Sequence, residues 1–207
     1  MKNYKICSLI ISSLLFFTLN MHAADDNSTT TTELGFYATP IQLALFAPAQ
    51  LAPVDSDVYG LKLSLPYGVN RTLYGLGIGL YSVNHEVYGL DVGGWNVIKG
   101  NQYGIQLGGL FASRGDAESS AYGLNIAGLV NLSKGSGYGL SIGGLVNYAA
   151  DTLTGLQLAC YTYAKKFTGL QLGVVNYADD LTGIQLGLVN ICPRGYLPFM
   201  IIINGKF

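Results

Sequence analysis

Charge, histidine and cysteine are scarce in this chain. Only 11% of the 207 residues are Asp, Glu, Lys or Arg, and there are two histidines and three cysteines. His22 and Cys7 fall in the N-terminal segment, so the remainder keeps only His85, Cys160 and Cys192. A lone histidine cannot form a zinc site, and no Asp, Glu or Cys recurs with the spacing of metal ligands. The sequence therefore predicts no metal, no cofactor and no enzymatic activity.

Basic residues are also too few for nucleic-acid binding. After Lys2 and Lys5, the chain contains nine Lys and Arg residues and twelve Asp and Glu residues, and the basic residues do not cluster in a patch. The glycine clusters at 75–79 and 135–139 lack the full spacing of a nucleotide-binding loop, and no helical pattern follows either one. We expect no nucleic-acid partner and no nucleotide.

The N-terminal segment has the pattern of a secretory signal peptide. Lys2 and Lys5 precede an apolar stretch at 6–19, and Ala23 offers a small residue for cleavage. We interpret 1–23 as a signal peptide and the polar, low-complexity 24–32 as a disordered leader. The expected location is the periplasm, outer membrane or cell surface of a bacterium.

The rest of the chain is built from one repeated phrase, which is clearest in Thr-Gly-Leu-Gln-Leu-Gly-Val-Val-Asn at 168–176. Intervals of 14 to 19 residues separate nine opening glycines, namely Gly60, Gly75, Gly89, Gly104, Gly123, Gly139, Gly155, Gly169 and Gly183. Such regularity is typical of stacked repeat proteins. We assign 59–192 to the repeats, 33–58 to an N-terminal cap and 193–207 to a C-terminal capping strand.

Apolar residues alternate with glycine and polar residues in each repeat, which predicts short strands and an all-β chain. Two architectures fit this repeat length. One is a parallel β-solenoid of about nine coils with a Leu, Ile and Val interior. The other is an up-and-down outer-membrane β-barrel with one strand per repeat, acting as a pore or anchor.

Two observations favour the solenoid. The repeated asparagine lies seven residues after the glycine at Asn96, Asn176 and Asn190, but eight after it at Asn131 and Asn147. An odd shift would flip the side chains of an uninterrupted strand, whereas a bend at a glycine pair such as 143–144 absorbs it. Equal residues in neighbouring repeats also suit ladders along a parallel stack. The terminal Phe207, the low charge and the mean hydropathy of +0.35 favour the barrel.

The stretches Thr39–Leu43 and Val58–Leu63, together with the Gly-Leu-Gln-Leu-Gly-x-Val-Asn copies, resemble a family of uncharacterised bacterial surface-repeat proteins. The resemblance covers nearly all of the chain after the signal peptide. It implies a secreted or cell-surface repeat protein and supplies no catalytic residues.

Candidate binding residues come from the repeats and from their longest interval. A tyrosine precedes six of the opening glycines and would form an aromatic stripe, which suits carbohydrate or partner contact, or would cover the edge of the core. Those residues are Tyr59, Tyr74, Tyr88, Tyr103, Tyr122 and Tyr138. The loop at 112–120 contains Arg114 and Asp116 in an adhesion-type Arg-Gly-Asp tripeptide.

The function predicted is structural or binding, with envelope or surface components as partners and membrane association allowed. Two cysteines remain after the signal peptide, Cys160 and Cys192. They lie about two coils apart, roughly 9.6 Å at the usual strand spacing, which is too far for a disulfide. We expect both as free, buried thiols.

Overall fold

The computed structural model describes residues 38–46 and 49–207, and its ordered elements there are all strands. In chain order they are β1 (Ala38–Phe46), β2 (Ala49–Gln50), β3 (Asp57–Ile98), β4 (Gln102–Arg114), β5 (Ser120–Ala127), β6 (Val130–Ser133), β7 (Ser136–Gly143), β8 (Val146–Leu158), β9 (Tyr161–Leu172), β10 (Val175–Ile191) and β11 (Phe199–Lys206). In those ranges the chain has no helix long and apolar enough to cross a membrane. The predicted signal peptide, the leader and the start of the predicted N-terminal cap lie outside the described residues.

Neighbouring repeats pair in parallel and in register. Gly89 lies opposite Gly104, and the ladder continues through Gly123, Gly139 and Gly155 to the last repeats. Each repeat is thus one coil, and its partners are the coils directly before and after it. The predicted parallel β-solenoid of about nine turns is confirmed. The antiparallel pairing of the alternative architecture is not found between repeats.

Each coil contains two strand runs joined by a bend. The first half of β4 pairs with β5 while its second half pairs with β6, and β8 likewise pairs with β7 and β6. Asn131 and Asn147 lie opposite each other, and Asn147 lies opposite Thr162, although their distances from the opening glycine differ. The extra residue is taken up at the bend, where the register also shifts between Gly93 and Trp95.

The interior is polar, so the predicted Leu, Ile and Val interior is wrong. The side chains two residues after the opening glycines point inward and are fully buried, except after Gly75, where the residue is Gly77; among them are Gln106, Gln157, Gln171 and Gln185. The leucines on either side of them, such as Leu170 and Leu172, face outward and are half-buried. In the last coils Gln171 Nε2 donates to Gln157 Oε1 at 2.7 Å, and Gln185 Nε2 donates to Gln171 Oε1 at 2.8 Å. In these coils, stacking at one strand spacing lets each glutamine bond to its copy, which stabilises a polar interior. In the earlier coils, Gln106 Oε1 and the side-chain amide of Asn125 have no hydrogen-bond partner among the described residues.

Apolar side chains fill one side of the interior, in two clusters. The first contains Val58, Leu73, Val87 and Ile98. The second packs Leu153, Phe167 and Leu181 against a column of Ala149, Ala164, Ala178 and Cys192. The small residues of that column leave room for the Phe167 ring, so large and small side chains compensate across the coil.

Both ends of the stack carry an extra strand. β1 pairs in parallel with the start of β3, which places Gln42 opposite Lys62, and β2 folds back antiparallel on β1. At the other end, β11 lies antiparallel on β10. Asn204 Nδ2 of β11 donates to Gln185 Oε1 at 3.4 Å. The end strand therefore satisfies the last amide of the interior ladder.

Candidate binding surfaces

The six repeated tyrosines form one continuous stack along the coils. Consecutive rings from Tyr59 to Tyr138 have centroids 4.7 to 5.3 Å apart and lie within 5° to 11° of parallel. Five of the six are exposed and Tyr88 is half-buried. Thr154, Thr168 and Thr182 continue the same column in the last three coils. The structure thus brings together all the tyrosines singled out in the sequence.

The stack turns the edges of these rings, not their faces, toward the outside. Carbohydrate recognition by an aromatic residue uses the open face of its ring, whereas each inner ring here has a neighbouring ring on both faces. The stacking contacts themselves stabilise the array, at about 0.5–1.5 kcal/mol per aromatic pair. Of the two roles considered for the tyrosines, covering the core edge therefore fits the geometry better than sugar stacking.

Ionisation of two of the stacked phenols, Tyr74 and Tyr88, is disfavoured. Burial raises the pKa of Tyr74, and the phenol of Tyr59 adds to the effect. Burial also raises the pKa of Tyr88, and the Glu86 carboxylate contributes next. Tyr74 and Tyr88 are thus neutral over the physiological range, which suits close ring contact.

Two other aromatic columns lie on the second strand run. Tyr67, Tyr81, Trp95 and Phe111 follow one another at 4.4 to 6.1 Å in the early coils. Tyr148, Tyr163 and Tyr177 stack at 4.7 and 5.2 Å in the later ones. The second of these begins in the repeat where the six-tyrosine column ends, so aromatic stacking continues on the other run.

The predicted loop at 112–120 is shorter in the structure, since β4 continues to Arg114 and β5 begins at Ser120. It does not present the Arg-Gly-Asp tripeptide as one surface. Arg114 points into the coil and is only 2% exposed, while Asp116 faces outward. Gly115 adopts a φ of 76° between them. The Asp116 carbonyl accepts hydrogen bonds from Ser119 N at 3.1 Å and Ser119 Oγ at 2.8 Å, which closes a tight turn. Of the two loop residues, only Asp116 lies on the outer surface.

Buried Arg114 has an unusual environment. Its column neighbours are Ile98 and Ser133, and Gly137 makes room for the guanidinium because a Cβ there would lie 2.7 Å from Nη2. Nε and Nη1 have no hydrogen-bond partner within the described residues. Burial lowers the pKa of Arg114 to about 10.

A second charged group is buried near the start of the stack. Lys62 Nζ donates to Asn84 Oδ1 at 2.7 Å and to Val83 O at 3.2 Å. Asn84 Nδ2 in turn donates to Asp91 Oδ2 at 3.0 Å, so the amide links the two opposite charges. Burial lowers the pKa of Lys62 to about 8, against the attraction of Asp91, and burial raises the pKa of Asp91.

The Lys62–Asp91 network predicts an alkaline increase in stability. The pKa of Lys62 is about 8 in the folded chain, against an ordinary value of 10.5 in the unfolded chain. Between pH 8 and pH 10.5 the unfolded chain therefore binds more protons than the folded chain. The free energy of unfolding should therefore rise with pH, by about 1–2 kcal/mol between pH 8 and about pH 9.5. Above that range tyrosine ionisation, with an ordinary pKa near 10, opposes the gain. Urea titrations at stepped pH measure it.

A double variant tests this assignment by replacing Lys62 and Asp91 with glutamine, the residue that other repeats have at the same position. Lys62→Gln with Asp91→Gln should remove the alkaline rise and be neutral or stabilising at pH 7, by up to about 4 kcal/mol. Lys99→Gln, at an exposed lysine, should retain the rise. A rise that persists in the double variant would contradict the assignment to Lys62.

The sequence analysis did not identify Lys62, Asp91 and Arg114 as inward-facing charged residues. For Lys62 and Asp91, their position in the repeat could have indicated it. Lys62 and Asp91 lie two residues after Gly60 and Gly89, where later copies have glutamine. Aligning the copies therefore marks both as inward positions. Arg114 has no such signal, because its column holds Ile98 and Ser133 and its repeat contains the longest interval.

The cysteines are both free, as expected, but only Cys192 is buried. Cys160 is exposed because it lies at the bend between strand runs, where the chain turns outward. Burial raises the pKa of the Cys192 thiol. The expectation of two buried thiols is thus wrong for Cys160.

Across the described ranges, no three His, Cys, Asp or Glu side chains come close enough together to hold a metal ion. No protein-family model, no curated protein and no solved structure matches this chain.

Proposed function

We propose that this chain is an exported repeat protein of the bacterial cell envelope or surface, with a structural or binding role and no catalytic step. The observation that carries the proposal is the repeated outer surface. Equal residues recur at equal places in successive coils, as in the columns of tyrosine, leucine and valine. An extended surface with one chemical unit per coil is typical of repeat proteins that act by contact.

The use of polar groups also supports a contact role. In the later coils the inward amides bond to one another and to backbone carbonyls; Asn176 Nδ2, for example, donates to Leu186 O at 2.8 Å and to Asn190 Oδ1 at 2.8 Å. These groups maintain the stack and do not converge on an open cleft. Export is supported by the sequence pattern of 1–23 and by the resemblance to surface-repeat proteins.

Export is tested by expressing the full chain in a Gram-negative host and following it with an antiserum. We expect the protein outside the cytoplasm with a new N-terminus at Ala24, since cleavage is predicted after Ala23. Leu14→Arg with Leu15→Arg interrupts the apolar stretch and should leave an unprocessed cytoplasmic chain. The control is Thr29→Arg with Thr30→Arg in the leader, which should be processed normally.

Protease treatment of intact cells then separates the surface from the periplasm. Cleavage without lysis indicates the cell surface, whereas protection until the outer membrane is opened indicates the periplasm. An unprocessed wild-type chain that stays in the cytoplasm would falsify the export proposal.

A further inference from the structure

The outer surface of the repeats separates charge from apolar character. Between each opening glycine and the end of the second strand run, the charged side chains of the described repeats are Lys62, Asp91 and Arg114, and all three are buried. The remaining charges of the coils lie in the turn that leads to the next coil. Six consecutive coils contribute Lys99, Asp116, Lys134, Asp151, Lys165 and Asp179 to this charged turn.

The bend between the two strand runs has the opposite character. It presents a column of large apolar side chains that we name the apolar ridge: Leu80, Leu110, Leu129, Leu145, Val174 and Leu188. Their exposed fractions range from 42% to 64%. Leu129 N donates to Leu110 O at 3.0 Å, and Leu145 N donates to Leu129 O at 2.9 Å, so the ridge is held in register by the coil pairing. The column is interrupted by Gly94 and by the exposed Cys160, and its members in adjacent coils, Leu110, Leu129 and Leu145, form a shared patch, which isolated surface leucines do not.

Because each coil is closed by one bend and one turn, the ridge and the charged turn lie at opposite ends of its strand runs. This division is the β counterpart of an amphipathic helix at an interface, with one side suited to hydrocarbon and the other to water. The aromatic column beside the ridge fits the same setting. Trp95 and Phe111 follow the bend directly in their coils, and Trp and Tyr are favoured where apolar and aqueous phases meet.

We infer that the apolar ridge inserts into the acyl-chain layer of a lipid membrane. The inference rests on the binding role proposed above and names the class of partner. A ridge seven coil spacings long and about three residues wide covers on the order of 350 Å². A stable protein interface takes about 800 Å² from each partner. A second copy would also have to pack one convex ridge against another, whereas a fluid lipid layer adapts to a convex surface.

The charged turn predicts which membranes are bound. It mixes acidic and basic residues along the coils, so it has no strong attraction to anionic headgroups. Binding should therefore be similar for phosphatidylcholine vesicles and for vesicles that contain phosphatidylglycerol, and should persist in 1 M salt, where charge interactions are screened over about 3 Å.

The experiment uses the full chain with Leu14→Arg and Leu15→Arg, so that the apolar N-terminal stretch does not itself insert. Vesicle flotation measures partitioning, and the single tryptophan, Trp95, reports insertion because it is exposed beside the ridge. We expect Trp95 emission to move to shorter wavelength with vesicles and to be quenched by brominated acyl chains. Leu110→Ser, Leu129→Ser and Leu145→Ser together should reduce partitioning at least tenfold.

The matched control is Lys99→Ser, Lys134→Ser and Lys165→Ser on the charged turn, which should partition as the parent does. Circular dichroism checks that each triple variant keeps its strands. If the leucine variant does not fold, Leu188→Ser, at the most exposed ridge position, takes its place with a smaller expected loss.

Several outcomes would overturn the inference. They are no partitioning of the parent, equal loss in both triple variants, or binding abolished by 1 M salt. A ridge-dependent dimer in sedimentation that ignores vesicles would assign the ridge to a second copy. Because the vesicle assay does not use export, a chain that stays in the cytoplasm but partitions through its ridge would defeat only the export proposal.

Discussion

Gly139→Ala should destabilise the stack by about 3–5 kcal/mol, although Gly139 is exposed and alanine is the smallest change available. Gly139 has a φ of 128°, a conformation that L side chains rarely adopt. A Cβ there would also lie well inside van der Waals contact with the carbonyl oxygen of Gly123 in the preceding coil. The added methyl would therefore both strain the backbone and push two coils apart. Urea unfolding followed by circular dichroism measures the loss.

The control is Gly109→Ala, at another exposed glycine of the repeats. Its Cβ would meet nothing closer than 3.4 Å, and its φ lies outside the range that favours glycine. Its effect should stay within about 0.5 kcal/mol, as for most surface substitutions. Because each coil contacts only its neighbours, Gly139→Ala should also split the unfolding transition in two. Equal effects of the two substitutions would contradict the ladder of close glycines.

The architecture could be predicted because repetition leaves few alternatives. Equal residues before the opening glycines, from Tyr59 to Tyr138, predict a stack in register, and the tyrosine rings do stack. The variable position of the asparagine predicts a bend inside each repeat, which the pairing of Asn147 with Thr162 confirms. Both inferences compare one copy with the next, so they need no knowledge of which face is buried.

The orientation of the two faces could not be predicted in the same way. A period of two separates Gln171 from Leu170 and Leu172 but does not state which set is inside. The usual preference for burying leucine gave the wrong answer. It failed because glutamines stacked one coil apart, such as Gln157, Gln171 and Gln185, can bond to one another, an effect that exists only after stacking. The inward turn of Arg114 has the same origin, since the space beside Gly137 comes from a neighbouring coil.

Substitution of the inward Gln171 by leucine should be costly, by about 2–4 kcal/mol, although it adds apolar character. Gln171 Nε2 donates to Gln157 Oε1, and Gln171 Oε1 accepts from Gln185 Nε2. Leucine has a similar volume but leaves Gln157 Oε1 without a donor in a fully buried column. Chemical denaturation of the Gln171→Leu variant measures the change in the free energy of unfolding.

The adjacent outward residue provides the reverse test. Leu172→Gln places an amide on the outer, half-buried face, where water can satisfy it, and should cost less than about 1 kcal/mol. The opposite ranking, with Leu172→Gln costly and Gln171→Leu mild, would mean that the two faces are exchanged. Replacing Gln157, Gln171 and Gln185 together by leucine should lower the free energy of unfolding by less than three times the loss caused by Gln171→Leu alone. The triple variant removes both the donor and the acceptor of each glutamine–glutamine hydrogen bond, so it leaves fewer buried amides unsatisfied. The interior ladder is thus a cooperative unit, stable when all its members are amides and weakest when one member differs.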